Sequence, residues 1–153
     1  MFHVVLLEPE IPWNTGNIGR TCLAFGAKLH LVGRLGFHLS SREVERAGLD
    51  YWEHVDPVTH VTWEEFRAAV PEGAGLHFFS TRGKRSLWEA RFLDGDFLVL
   101  GSETGGFPAE IHEKYADLTV RIPQAEGPVR SLNLSTAAGI VLAEAVRQTG
   151  KGE

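Results

Sequence analysis

Five short apolar runs, at residues 2–8, 28–33, 76–81, 97–101 and 118–123, constrain this chain more than any other feature. Each is long enough for one buried strand and far short of the roughly 20 residues that a membrane-spanning helix needs. Amphipathic stretches at 16–26, 40–48, 63–70, 108–116 and 131–148 separate them. That alternation is the pattern of strands crossing to parallel neighbours through helices. The fold class is therefore α/β, a mostly parallel sheet flanked by helices, with one weaker strand expected near 54–58. In the last helix Leu134, Ala137, Ala138, Val141, Leu142 and Ala145 recur at helical spacing, and Ser131 occupies the expected N-cap. Pro108 suits the first turn of the preceding helix, where its missing donor costs nothing.

A length of 153 residues suits one domain, taken as 1–150 with a short tail at 151–153. No repeat or low-complexity tract interrupts it. The start "MFHVVLL" reads as a strand rather than a leader, and a lone Cys22 fits a reducing compartment, so a cytoplasmic protein without membrane attachment is expected. Cys22 sits in an apolar helical stretch and reads as a buried thiol. The net charge of −5 opposes broad nucleic-acid binding, yet "RGKR" at 82–85 is a local basic patch, either a phosphate contact or a solvated loop. The seven histidines form no H-x-x-x-H pair and no Cys/His cluster, although His54 and His60 are near enough to meet, so no metal is expected.

In open α/β sheets, ligands bind beyond the carboxyl ends of the strands. Three loops there are distinctive: "PEIPWNTGNIGRTC", "GSETGGFP" and "IPQAEGPVRSLNLS". None is a dinucleotide fingerprint, a phosphate-binding P-loop or a nucleophile elbow. In the first, Asn14, Asn17 and Arg20 recur at three-residue steps, placing polar groups on one helix face or, alternatively, capping the helix through Asn14. In the second, the bare backbone around Glu103 suggests that something approaches the main chain closely. In the third, Ser131, Asn133 and Ser135 alternate with Leu132 and Leu134, which suits a flat ring with polar edges or a locally satisfied helix start.

Taken together and in this order, the loops resemble the motifs of the SPOUT superfamily of RNA methyltransferases. From "LLEPEIPWNTGNIGRTC" through "RAGLDYW" to "RSLNLSTAAGIVLAEA", nearly the whole chain is similar to the single-domain tRNA ribose 2'-O-methyltransferases that modify the wobble nucleotide. The resemblance implies S-adenosylmethionine as cofactor, a trefoil knot in the carboxyl-terminal half, a homodimer with composite active sites, and tRNA as partner through its anticodon region. It implies a cofactor pocket that includes Phe79, Gly101, Glu103, Ile122, Ser131 and Leu132. It also implies that Arg20 acts at the ribose hydroxyl, as base or as electrostatic stabiliser, with Asn14, Glu103, Ser131 and Asn133 organising it. Because a guanidinium normally stays protonated, donation to the forming alkoxide is the physically simpler role. Gly101, Gly105 and Gly106 would let the adenosine approach the backbone. Glu103 would orient Arg20, accept bonds within its turn, or face the following helix. Trp13 would stack on a base or cover the dimer interface.

Overall fold

Strand β1 (His3–Leu7) is buried on both faces, with Val4, Val5 and Leu6 fully covered, and this is why its run is continuously apolar rather than alternating. The structure, a computed structural model, describes residues 1–150; the tail expected at 151–153 lies outside the described residues. After β1 the chain forms α1 (Pro12–Phe25), β2 (Lys28–Val32), α2 (Arg42–Gly48), α3 (Trp52–Val55), β3 (Val58–His60) and α4 (Trp63–Ala69). It continues through β4 (Leu76–Phe79), β5 (Arg85–Ser86), β6 (Phe97–Leu100), α5 (Ala109–Lys114), β7 (Thr119–Arg121) and α6 (Leu134–Thr149). The strands form one parallel sheet in the order β3-β2-β1-β6-β4-β7-β5. One face packs Val4, Leu6, Leu98 and Leu100 against Ile18 of α1 and Val141 and Leu142 of α6. The other packs Val5, Phe78, Phe97 and Val99 against Phe66 of α4 and Ile111 of α5. Two helical layers thus clamp the sheet, as the alternation required.

Four boundaries differ from expectation. Residues 52–55 are helical, Asp56 turns left-handed at φ 43°, and the strand expected at 54–58 begins only at Val58. β5 was not expected, since two residues carry no periodicity; it exists because it pairs with β7. α1 starts at Pro12 rather than 16, with proline supplying the preset φ of a first turn. α6 starts at Leu134, because Asn133 and not Ser131 is its N-cap: the Asn133 Oδ1 accepts from the N–H groups of Ser135 (2.9 Å) and Thr136 (3.2 Å).

Three histidines meet where no sequence spacing suggested it. His3 Nδ1 lies 2.9 Å from His30 Nε2, and His30 Nδ1 lies 3.1 Å from His60 Nε2, linking β1, β2 and β3. Phe66 and Phe97 enclose His30. His54 instead sits exposed beside Glu53. Burial holds the His30 imidazole down at about 3 and pushes the Cys22 thiol up to about 12. Among the described residues, no helix is long and apolar enough to cross a membrane, and no group of three or more His, Cys, Asp or Glu is placed to hold a metal.

Candidate active site at the carboxyl rim of the sheet

Because all strands run parallel, their carboxyl ends share one rim. β4 lies between β6 and β7, so the turns that follow these three strands converge. Between them is a cavity of about 560 Å³, within the usual range for small-molecule sites. Phe79, Gly101, Glu103, Ile122, Ser131 and Leu132 all line it, as do Asn14 and Asn133. Phe79, Leu100, Val120, Ile122 and Leu132 supply apolar walls, while hydroxyls and amides supply the edges.

The turn after β6 also needs its glycines for its own backbone. It closes on itself through paired bonds between Ser102 and Gly106, both 3.1 Å. A Cβ on Gly101 would stand 2.5 Å from the carbonyl carbon of Gly106, and Gly106 itself has φ 62°. These two glycines are therefore required by the turn's own backbone. A Cβ on Gly105 would meet only the Ser102 hydroxyl, at 3.4 Å.

Glu103, at the top of this turn, reaches the start of α1 rather than the helix that follows it. Its Oε1 accepts from the Glu10 N–H (2.8 Å), and its Oε2 accepts from the Ile11 N–H (2.7 Å) and from Asn14 Nδ2 (3.3 Å). No side chain of α1 caps this end of the helix, so the carboxylate occupies the favourable end of its dipole. Asn14 Oδ1 in turn accepts from Asn133 Nδ2 at 3.1 Å, and Asn133 Oδ1 caps α6. A carboxylate at one end and backbone N–H groups at the other fix both amide orientations, giving a one-way chain of donors from α6 to the turn after β6. Thr104 adds a bond to Glu10, 2.7 Å long, which lowers the Glu10 carboxyl below its ordinary range.

Arg20 does not join this group. Asn14 is buried, whereas Asn17 and Arg20 are exposed, because three-residue steps of about 100° per residue fan the triple around α1. Arg20 is absent from the cavity lining, and its side chain makes no hydrogen bond or ion pair among the described residues. Six residues beyond Asn14, it lies about 9 Å along the helix axis. Trp13 is likewise 53% exposed.

Sequence reading missed Ser80 and Thr81, which line the cavity just past β4, and Gln124, just past β7. Their place immediately beyond a strand's carboxyl end was the available signal. Arg82, from the basic patch read as a phosphate contact or a solvated loop, stands at the same cavity, as does Arg130.

Residues 1–143 match the SpoU rRNA Methylase family. A tRNA (cytidine(34)-2'-O)-methyltransferase from Burkholderia ambifaria is 45% identical, over 98% of this chain and 97% of its own. A structure described as giving insights into the 2-OH methylation of C/U34 on tRNA is 50% identical and superposes with a TM-score of 0.93, covering 98% of this chain and 97% of that one. A SpoU methyltransferase from Streptomyces viridochromogenes, solved with the cofactor AdoMet, is 28% identical with a TM-score of 0.83, covering 98% of this chain and 61% of its own. A parallel sheet whose converging rim turns enclose this cavity, and a match that spans nearly every residue, place the chain in the SpoU rRNA Methylase family.

Proposed function

We infer that this protein transfers a methyl group from S-adenosylmethionine to the ribose 2'-hydroxyl of nucleotide 34 of tRNA. The observation that carries the reading is the near full-length identity to enzymes of that name, together with the cavity formed by the same three loops. The cavity suits the cofactor: its apolar side chains would cover a flat ring, and the turn after β6 and residues 131–133 bring polar groups to the same cavity for the ring's edges. When bound, the cofactor supplies an activated methyl on a sulfonium. What remains for the protein is to align a poorly nucleophilic hydroxyl and to stabilise negative charge on its oxygen.

Asn14, Glu103 and Asn133 hold the two helix starts and the turn in one frame, with Ser131 on the cavity wall beside them, so that wall is set before RNA arrives. Arg20 donates to the ribose oxygen or its neighbouring phosphate without giving up its proton. The working unit is a homodimer in which Arg20 of one protomer meets the cavity of its partner. Support comes from the exposure of Arg20, the absence of a side-chain partner for it among the described residues and its distance from Asn14 along α1. Insertion of β6 between β1 and β4, with α6 returning onto α1, supports a trefoil knot in the carboxyl-terminal half. A tRNA substrate supports a cytoplasmic location. Labelled methyl transfer to unmodified tRNA transcripts, with the product nucleotide mapped, tests the reading; label anywhere but the ribose of nucleotide 34 overturns it.

A further inference from the structure

We propose that the segment 82–91 at the free edge of the sheet is an RNA-docking surface, with Trp88 as a stacking platform for an unpaired base and Arg85 and Arg91 as phosphate contacts. The proposal rests on the tRNA reading above and specifies where, outside the cavity, the RNA is held.

β5 is the last strand of the sheet and pairs only with β7, so its outer edge has no neighbour. The run "RGKRSLWEAR" carries four of the fifteen Lys and Arg residues in a chain of net charge −5. Lys84 is committed to Asp117 at 2.8 Å, and the Arg121 guanidinium donates to the carbonyls of Gly83 and Lys84. The guanidinium groups of Arg82, Arg85 and Arg91 are exposed and make no ion pair among the described residues. Arg82 also lines the cavity, so the cationic strip begins at the candidate methyl-transfer site and leads away from it.

Trp88 is 62% exposed although its neighbours Leu87 and Ala90 are fully buried. The turn that presents it is rigid. Glu89 and Ala90 both donate to the Ser86 carbonyl (3.0 and 3.1 Å), Leu87 N–H bonds to the Arg121 carbonyl (2.8 Å), and the Ser86 hydroxyl accepts from the Trp88 N–H (3.2 Å). Gln148 of α6 clamps the segment from behind, donating to the Ala90 carbonyl and accepting from the Phe92 N–H, both at 2.9 Å. The indole itself makes no ring contact and no side-chain hydrogen bond among the described residues. A large apolar ring held outward by a fixed backbone loses little conformational entropy on binding. Every base offers a π-face, and flanking cations favour a phosphate backbone over an apolar protein partner. An unpaired base of an RNA loop meets both requirements.

The test compares wild type with Trp88→Ala, Trp88→Phe and the double variant Arg85→Ala/Arg91→Ala. It measures dissociation constants for a labelled tRNA transcript across a salt series, with calorimetric S-adenosylmethionine affinity as the control for folding. Trp88→Ala is expected to weaken tRNA binding about ten-fold with an unchanged salt slope, raising KM but not kcat, while Trp88→Phe stays near wild type. The double arginine variant is expected to flatten the salt slope by roughly one to two. Trp88→Ala binding within two-fold of wild type, with cofactor affinity intact, overturns the proposal. If wild type methylates tRNA and Trp88→Ala behaves identically, this surface fails and the methylation reading stands. If no transcript is methylated yet Trp88→Ala still loses RNA, the surface stands and the methylation reading fails.

Discussion

The Glu103 carboxylate accepts the Ile11 N–H at 2.7 Å, tying the turn after β6 to the start of α1 across 92 residues of sequence. Replacing it by alanine leaves two backbone donors and the Asn14 amide without their acceptor. Since the site is half-exposed, water recovers part of the loss, and Glu103→Ala is expected to cost about 1 kcal/mol of stability. Turnover should suffer more than stability, because Asn14 and the cavity wall lose their alignment. A thermal melt and single-turnover rates on the same preparation check this; wild-type turnover would remove the organising role of Glu103.

Asn133 has two tasks that one substitution separates. Asn133→Asp keeps an oxygen to cap Ser135 and Thr136 but places an acceptor opposite Asn14 Oδ1, where a donor stood. Near wild-type melting temperature with turnover lowered at least ten-fold is expected. Equal losses in both would mean that Asn133 is merely a helix cap.

Two glycines in one turn should respond oppositely. Gly101→Ala drives a Cβ to 2.5 Å from the Gly106 backbone and forces the turn open, so S-adenosylmethionine affinity and melting temperature should fall together. Gly105→Ala meets only the Ser102 hydroxyl at 3.4 Å and should keep cofactor affinity. Calorimetric titration of both variants decides the point.

If Arg20 works on the partner's cavity, activity can be rebuilt from two inactive chains. Mixed dimers of Arg20→Ala and Asn133→Ala subunits contain one intact site and should recover roughly half of wild-type turnover, whereas each parent homodimer stays inactive. Mixed dimers as inactive as their parents would place Arg20 within its own chain's site.

The three-histidine chain predicts acid sensitivity. Burial among Phe66 and Phe97, reinforced by His3, His60 and Lys28, lowers the His30 imidazole to about 3 from its usual value near 6.5. A cationic His30 could donate to both neighbours, but loss of hydration is the larger effect. The unfolded chain then binds a proton that the native state refuses. This contribution to stability is fully present above pH 6.5 and is lost as pH falls toward 3, by about 1.4 kcal/mol per pH unit from this group. Denaturant unfolding between pH 7 and pH 4.5 should show that slope, and His30→Gln should flatten it.

The sequence by itself determined five of the seven strands and most helices, because side chains alternate with a period set by the backbone and a doubly covered parallel strand must be apolar throughout. It also singled out the loops that line the cavity, through the motifs around Asn14, Glu103 and Asn133. Only the tertiary structure decided what those residues do. Glu103 caps a helix 92 positions away, the glycines serve the turn's own backbone, and Arg20 lies outside the lining of its own chain's cavity. The same holds for the histidine chain, which joins three strands separated by 27 and 30 residues. Local periodicity fixes which side of an element a residue occupies, but the order in which strands enter a sheet fixes what lies opposite, and no spacing along a single chain records that order.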